Sequence, residues 1–420
     1  MLGKISLLCA LYLAQGMPFG VQSVALPIML RQQGASLEQI GLAGALALPW
    51  LLKALWAPLV DRSGSRWRWI LAMQACLALT SVLAAWACVG NAMDIKVLAW
   101  AILALNFAAA TQDIAVDGLA VDLLKKGTSD NDDFGAKMLG WGNSAQVIGY
   151  KCGMLIGGGV LVWVSASLGW TAVFVLMAAI YAAVFMATAL AQRRFSELAA
   201  VTRARPIGVV LSALLEQLRV RGVASALAVI VFYKAGETIV VTMWKPFLID
   251  QGFSAAQIGA WVGVYGMAAS IGGSLAGGWA VQRFGTARAL WWAAALRTVA
   301  LVVEVAVAAG SPTAGGVIGA TCLEHIFSGA LTTAMFAWMM ARVDVRVGAS
   351  HYTLLASCEV LGKMPAGWLS GYLAGSAGYI AAFAVGTLIS ALYTLALPWL
   401  LRRTAAPPEH ALANAELVKE

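Results

Sequence analysis

Apolar stretches of about 20 residues follow one another along almost the whole chain, and this recurrence restricts the possible folds more than any other feature. A helix of about 20 apolar residues crosses the roughly 30 Å of hydrocarbon in a bilayer. Twelve such stretches can be marked, at 5–29, 39–60, 68–89, 96–118, 138–161, 169–190, 223–248, 256–281, 288–309, 313–340, 349–372 and 377–400. Of the 420 residues, 61% are hydrophobic and 11% are charged. A soluble domain is nearer half apolar and a quarter charged, so water cannot be the main solvent here. The expected fold is an all-α polytopic membrane protein, with the lipid bilayer as its first partner. The N-terminus has one lysine, Lys4, and then a long apolar run without a cleavage site, which reads as a retained first helix.

A net charge of +8 could point to nucleic acid, but the basic residues sit in short loops between apolar stretches. That is the positive-inside pattern of membrane proteins. Twenty Lys and Arg fall on one side: Lys4, Arg62, Arg66, Arg68, Lys125, Lys126, Lys137, Arg193, Arg194, Arg203, Arg205, Arg219, Arg221, Arg283, Arg288, Arg342, Arg346, Arg402, Arg403 and Lys419. The other side has Arg31 and Lys96. The bias puts both termini and the arginine-rich segment 191–222 in the cytoplasm. That segment divides the chain into a first half (1–190), a linker (191–222), a second half (223–400) and a tail (401–420). The six cysteines lie in apolar stretches with no CxxC pair, and they read as packing residues rather than metal ligands or disulfides.

The halves resemble each other. Gln33-Gly34-Ala35-Ser36-Leu37-Glu38-Gln39-Ile40-Gly41 precedes the second stretch, and Gln251-Gly252-Phe253-Ser254-Ala255-Ala256-Gln257-Ile258-Gly259 precedes the eighth; six of nine positions are identical. Ser144-Ala145-Gln146-Val147-Ile148-Gly149 likewise echoes Ser357-Cys358-Glu359-Val360-Leu361-Gly362. Two related six-helix halves are the mark of alternating-access transporters, whose substrate site lies near mid-membrane at the repeat interface.

Asp61-Arg62-x-Gly64-x-Arg66 resembles the loop motif of the major facilitator superfamily. Leu48-Pro49-Trp50 through Asp61-Arg62, and Ala110-Thr111-Gln112-Asp113-Ile114-Ala115-Val116-Asp117-Gly118, resemble the branch of muropeptide permeases and acetyl-CoA transporters. The opening Leu11-Tyr12-Leu13-Ala14-Gln15-Gly16-Met17-Pro18-Phe19-Gly20 is similar to rhizobactin/pyochelin-type siderophore permeases. Muropeptide permeases commonly carry two further spans, so a chain of twelve favours the siderophore group. The resemblance implies two six-helix halves, a monomer, and import across a bacterial cytoplasmic (inner) membrane. Its cargo would be an iron–siderophore complex; the alternative is a muropeptide or another anionic metabolite. No cofactor is implied beyond a proton gradient as energy source.

Twelve charges lie inside the stretches, where each is costly. Six are basic (Lys53, Lys151, Lys234, Lys245, Arg297, Lys363) and six acidic (Asp113, Asp117, Glu237, Glu304, Glu324, Glu359). At 1.5 Å per residue, Lys151, Lys234, Glu237, Glu324, His325, Glu359 and Lys363 fall near mid-membrane, on stretches expected to line one central cavity. Lys234/Glu237 and Glu359/Lys363 have i,i+3 and i,i+4 spacing and share a helix face. Substrate contacts are expected from Gln15, Gln22, Gln146, Lys151, Lys234, Tyr265 and Lys363. Proton coupling is expected from Asp113, Glu237, Glu324, His325 and Glu359. A cytoplasmic gate is expected from Asp61, Arg62 and Arg66 against Asp117 or Asp122. The competing reading makes these charges permanent structural pairs, with Asp113 and Asp117 serving Lys53. Arg297 and Glu304, i,i+7 on one stretch, read as a structural pair, and Lys245 as a snorkelling lysine. Trp141, Trp244 and Tyr265 could line an aromatic site. Gly153-x-x-x-Gly157 and Gly273-x-x-x-Gly277 allow close helix approach, at a seam between the halves or in simple packing.

Other function classes lack their residues. There is no HExxH, no GxSxG and no GxxxxGK[ST] phosphate loop. Neither an enzyme nor an ATP-driven pump is indicated, and no metal site is expected.

Overall fold

A computed structural model of the chain describes residues 2–62, 65–90, 93–125, 146–195, 222–342 and 348–404. Helix is the regular element throughout them. This is what hydrocarbon requires, because a helix satisfies its own backbone polar groups where water cannot.

Nine helical runs among the described residues are long and apolar enough to cross a membrane. They include α1 (Gly3–Gln32), α3 (Arg66–Ala87) and α4 (Ile95–Lys125). The run Gln146–Arg194 breaks at Gly169 (φ 76°), giving α5 (146–168) and α6 (170–194). Five more follow: α7 (Val223–Asp250), α8 (Ala255–Phe284), α9 (Thr286–Ala309), α10 (Ala314–Met340) and α12 (Tyr379–Arg403). The second and eleventh expected spans are also helical. α11 (Gly348–Ala377) is one helix of 30 residues. α2 (37–62) is a series of short α and 3-10 turns. Pro49 stands in the first turn of one of these pieces, where its missing N–H leaves no helical bond unmade. The expected linker falls mostly on residues outside the described set, as do Trp141 and the tail beyond 404.

The helices form two compact units. The first comprises Met1–Ala35, Ala43–Ala204 and Leu248–Met267; the second comprises Ser36–Leu42, Arg205–Phe247 and Ala268–Glu420. In the first, Leu8, Leu11 and Tyr12 of α1 pack with Trp67 and Ile70 of α3 and Val116 and Leu119 of α4. In the second, Leu290 of α9, Leu331, Met335 and Trp338 of α10, and Leu397 of α12 form the core.

The sequence repeat has a physical meaning. In the first copy, Ser36 Oγ accepts from the Gln39 N–H (3.3 Å) and Gln39 Oε1 accepts from the Ser36 N–H (3.0 Å). In the second, Ser254 Oγ accepts from the Gln257 N–H (3.2 Å) and Gln257 Oε1 from the Ser254 N–H (2.9 Å). Both are capping boxes that satisfy the free donors at a helix start. Each is preceded by a glycine in the left-handed region, Gly34 (φ 77°) and Gly252 (φ 87°), where a Cβ would be strained. Beside the loops, within the first unit, Arg31 and Asp250 make a two-point ion pair at 2.6 and 2.7 Å.

Both glycine pairs pack helices inside one unit. A Cβ at Gly153 or Gly157 would collide with the carbonyls of Leu13 or Met17 in α1. A Cβ at Gly273 or Gly277 would collide with the backbone of Ile326 or Ala330 in α10. The reading of simple packing accounts for them.

Candidate functional site

Six of the expected site residues gather in the second unit, and Arg297 joins them. α7 loosens into a turn at Tyr233–Lys234 before resuming at Ala235. The turn sets Tyr233, Lys234 and Glu237 close together on the helix. Glu237 Oε1 accepts from Ser328 Oγ at 2.8 Å and lies 3.5 Å from Lys234 Nζ. Glu237 Oε2 accepts from Arg297 Nε at 3.0 Å. The far side of the same guanidinium reaches α10, with Nη2 2.6 Å from Glu324 Oε1 and Nη1 donating to the Glu324 carbonyl at 3.3 Å. Arg297 thus bridges two carboxylates while its side chain is 1% exposed. A planar fork of donors suits such a bridge better than a point charge.

His325 extends the network. Its Nδ1 lies against Glu324 Oε2 and 3.0 Å from the Thr321 carbonyl oxygen. A second cluster continues from the turn of α7 to α11. Tyr233 donates its hydroxyl to Glu359 Oε1 at 2.5 Å, and Lys363 Nζ is ion-paired to that oxygen. Lys234 Nζ lies 5.7 Å from the Tyr233 ring centroid and stands between the two clusters.

The other expected residues lie in the first unit. Lys53 Nζ is 2.6 Å from Asp113 Oδ2, so Asp113 has the structural partner that the competing reading gave it. Asp117 accepts from the Tyr12 hydroxyl at 3.0 Å and from Gln146 Nε2 at 3.4 Å. Arg66, at the start of α3, donates to the Gly118 carbonyl. Asp61 and Arg62 end α2, and Asp122 lies on α4; their side chains are outside the described set. Gln15 is fully buried, and among the described residues neither of its side-chain polar atoms has a hydrogen-bond partner; nor has the buried Gln22 Oε1. Lys151 is half-buried on α5, and Tyr265 is exposed on α8.

Three side chains stand differently from the expectation. Arg297 forms its ion pairs with Glu237 and Glu324 on neighbouring helices rather than with Glu304. Lys245 does not snorkel. It is 3% exposed and donates to the Val241 carbonyl at 2.6 Å, because its face of α7 turns into the unit rather than to a membrane surface. Trp244 is core: it stacks on Phe247 and packs against Phe383, and its indole N–H donates to Thr321. Sequence reasoning also missed Gln112, fully buried and, among the described residues, with both side-chain polar atoms unpartnered. Its place beside Asp113 was the available signal.

This arrangement can hold anions on lysines and move protons among linked carboxylates. Its described residues are the helices of a carrier. The family model described as Major Facilitator Superfamily matches residues 8–303 and 226–419. A protein of Haemophilus influenzae is 30% identical over 389 residues, covering 87% of this chain and 86% of its own. The anhydromuropeptide permease of Escherichia coli (strain K12) is 26% identical over 430 aligned positions, covering 98% of this chain and 85% of its own. Among solved structures, the nucleoside transporter NupG has a TM-score of 0.70 at 15% identity, covering 94% of this chain and 99% of its own. A bacterial homologue of the lysosomal transporter Spinster, in an inward-facing form, has a TM-score of 0.67 at 16% identity, covering 96% of this chain and 98% of its own. The chain belongs to the Major Facilitator Superfamily and is a polytopic membrane secondary transporter, not an enzyme.

Proposed function

We propose that the protein imports anhydromuropeptide-type cargo across a bacterial cytoplasmic membrane, driven by protons. The observation that carries this reading is the match to the permease of that name along 98% of the chain. These relatives back the muropeptide alternative; they do not back the siderophore resemblance of the opening residues. A muropeptide is an amino sugar joined to a short peptide. It presents free carboxylates together with hydroxyl and amide groups. Lys151, Lys234 and Lys363 suit the carboxylates, and Gln15, Gln22, Gln146 and Tyr265 suit the neutral groups.

Glu237, Glu324, His325 and Glu359 suit the proton step, with Asp113 as a further coupling group. Arg297 holds Glu237 and Glu324 together, so a proton on either carboxylate removes one of its ion pairs and shifts it toward the other. Such an element has two arrangements and can link proton binding to a conformational change. Asp61, Arg62 and Arg66 form the cytoplasmic gate with Asp117 or Asp122, in a monomer whose termini face the cytoplasm.

Counterflow in proteoliposomes tests the cargo. Vesicles loaded with unlabelled anhydromuropeptide should take up the labelled form, and a ferric siderophore should not compete. Competition by the siderophore, with no muropeptide uptake, would reverse the assignment.

A further inference from the structure

Glu304 stands outside the Arg297 network. It sits on α9, 1% exposed, and its Oε2 is sealed from solvent without a hydrogen-bond partner. Among the described residues it makes no hydrogen bond and no ion pair. Lys245 on α7 is in a similar position, buried and bonded to a backbone carbonyl with no carboxylate in contact. Both residues lie to one side of the Arg297 network. Glu304 is seven residues beyond Arg297 on α9, and Lys245 eight beyond Glu237 on α7, each about 10–12 Å along its helix. Both displacements run toward the helix ends that the Lys/Arg bias puts outside.

Among the described residues, the charged groups whose fields reach Glu304 are Arg297 on its own helix, Lys245 and Glu237 on α7, and Glu324 on α10. α12 also packs on α9 and offers hydroxyls there, those of Ser390 and Thr394 to Thr298. Glu304 has a guanidinium already committed to two other carboxylates, an ammonium out of contact, and two like charges. A buried carboxylate without a direct counter-ion is strongly disfavoured. Its proton-bearing form needs none.

We propose that Glu304 is a proton-carrying site at the outer end of the second unit, from which a proton passes to the Glu324–Arg297–Glu237 network. The step moves one proton through intervening water: the O–H bond of Glu304 breaks as a water accepts its proton, the water passes a proton on, and Glu324 or Glu237 becomes the neutral acid while Glu304 is left a carboxylate. The inference rests on the proposed proton coupling for its purpose, but not for the proton itself.

The test uses the full-length protein in liposomes, with Glu304→Gln and Glu304→Asp. Infrared difference spectra across a pH titration should show the C=O stretch of a protonated carboxyl in the wild type. The band should be missing in Glu304→Gln and displaced in Glu304→Asp. In transport, Glu304→Gln should retain cargo counterflow and lose accumulation driven by a proton gradient. Thermal unfolding of each variant separates these effects from misfolding; if the Gln variant does not fold, the Asp variant must displace the band. A wild-type band in either variant, or wild-type accumulation by Glu304→Gln, overturns the proposal. If the wild type itself carries no muropeptide, the cargo assignment fails while the infrared result still decides on Glu304.

Discussion

A single guanidinium holds the centre of the second unit. Arg297 meets Glu237 and Glu324, which lie 60 and 27 positions away in sequence. Removing one member of a buried charge group leaves the others uncompensated, at a cost of about 3–5 kcal/mol. Arg297→Met should therefore lower the unfolding temperature sharply and abolish transport. Combining it with Glu237→Gln and Glu324→Gln should restore stability but not proton-driven uptake. Thermal scans in detergent, alongside uptake assays, check both halves of this expectation; a destabilised triple variant would contradict it. Lys234/Glu237 and Glu359/Lys363 were legible because i,i+3 and i,i+4 neighbours share a helix face. The pairings of Arg297 were not, because they run between helices. The i,i+7 spacing suggested Glu304, yet the guanidinium turns to the carboxylates offered by α7 and α10.

At the scale of elements, length and hydropathy located the spans well. What they could not show was how a span is built inside. α2 is helical only in short pieces around Pro49 and Pro58, although its apolar run is as long as the others. The repeated Gln-Gly-x-Ser-x-x-Gln loops were legible as a repeat, and their chemistry is a pair of capping boxes. The glycine pairs were ambiguous, since a small residue allows close approach without saying which helix approaches. In the structure Gly273 of α8 packs against α10. A methyl there meets the Ile326 carbonyl, whereas one at the neighbouring Gly272 meets open space. Gly273→Ala should cost about 1–3 kcal/mol of stability, as overpacking does, and Gly272→Ala should be close to neutral. Equal unfolding temperatures for the two variants would contradict the packing.

For the whole molecule, the twenty-to-two distribution of Lys and Arg predicts cytoplasmic termini and a cytoplasmic segment 191–222. A cytoplasm-active reporter fused after Arg205 should be active, and a periplasmic signal would invert the topology. Cargo was the least legible property. Lysines at mid-membrane announce an anion, but a siderophore and a muropeptide both qualify, and helix spacing does not distinguish them. The similarity to a permease named for anhydromuropeptides, along 98% of the chain, favours the muropeptide. Coupling of cargo to protons through the buried carboxylates can be measured as a pH change. Anhydromuropeptide is added outside de-energised proteoliposomes that hold a pH-sensitive dye. Cargo entering down its own gradient should acidify the lumen with the wild type. Glu237→Gln and Glu359→Gln should give no acidification while still exchanging cargo. Cargo entry without a pH change in the wild type, or unchanged acidification in both variants, would contradict the account.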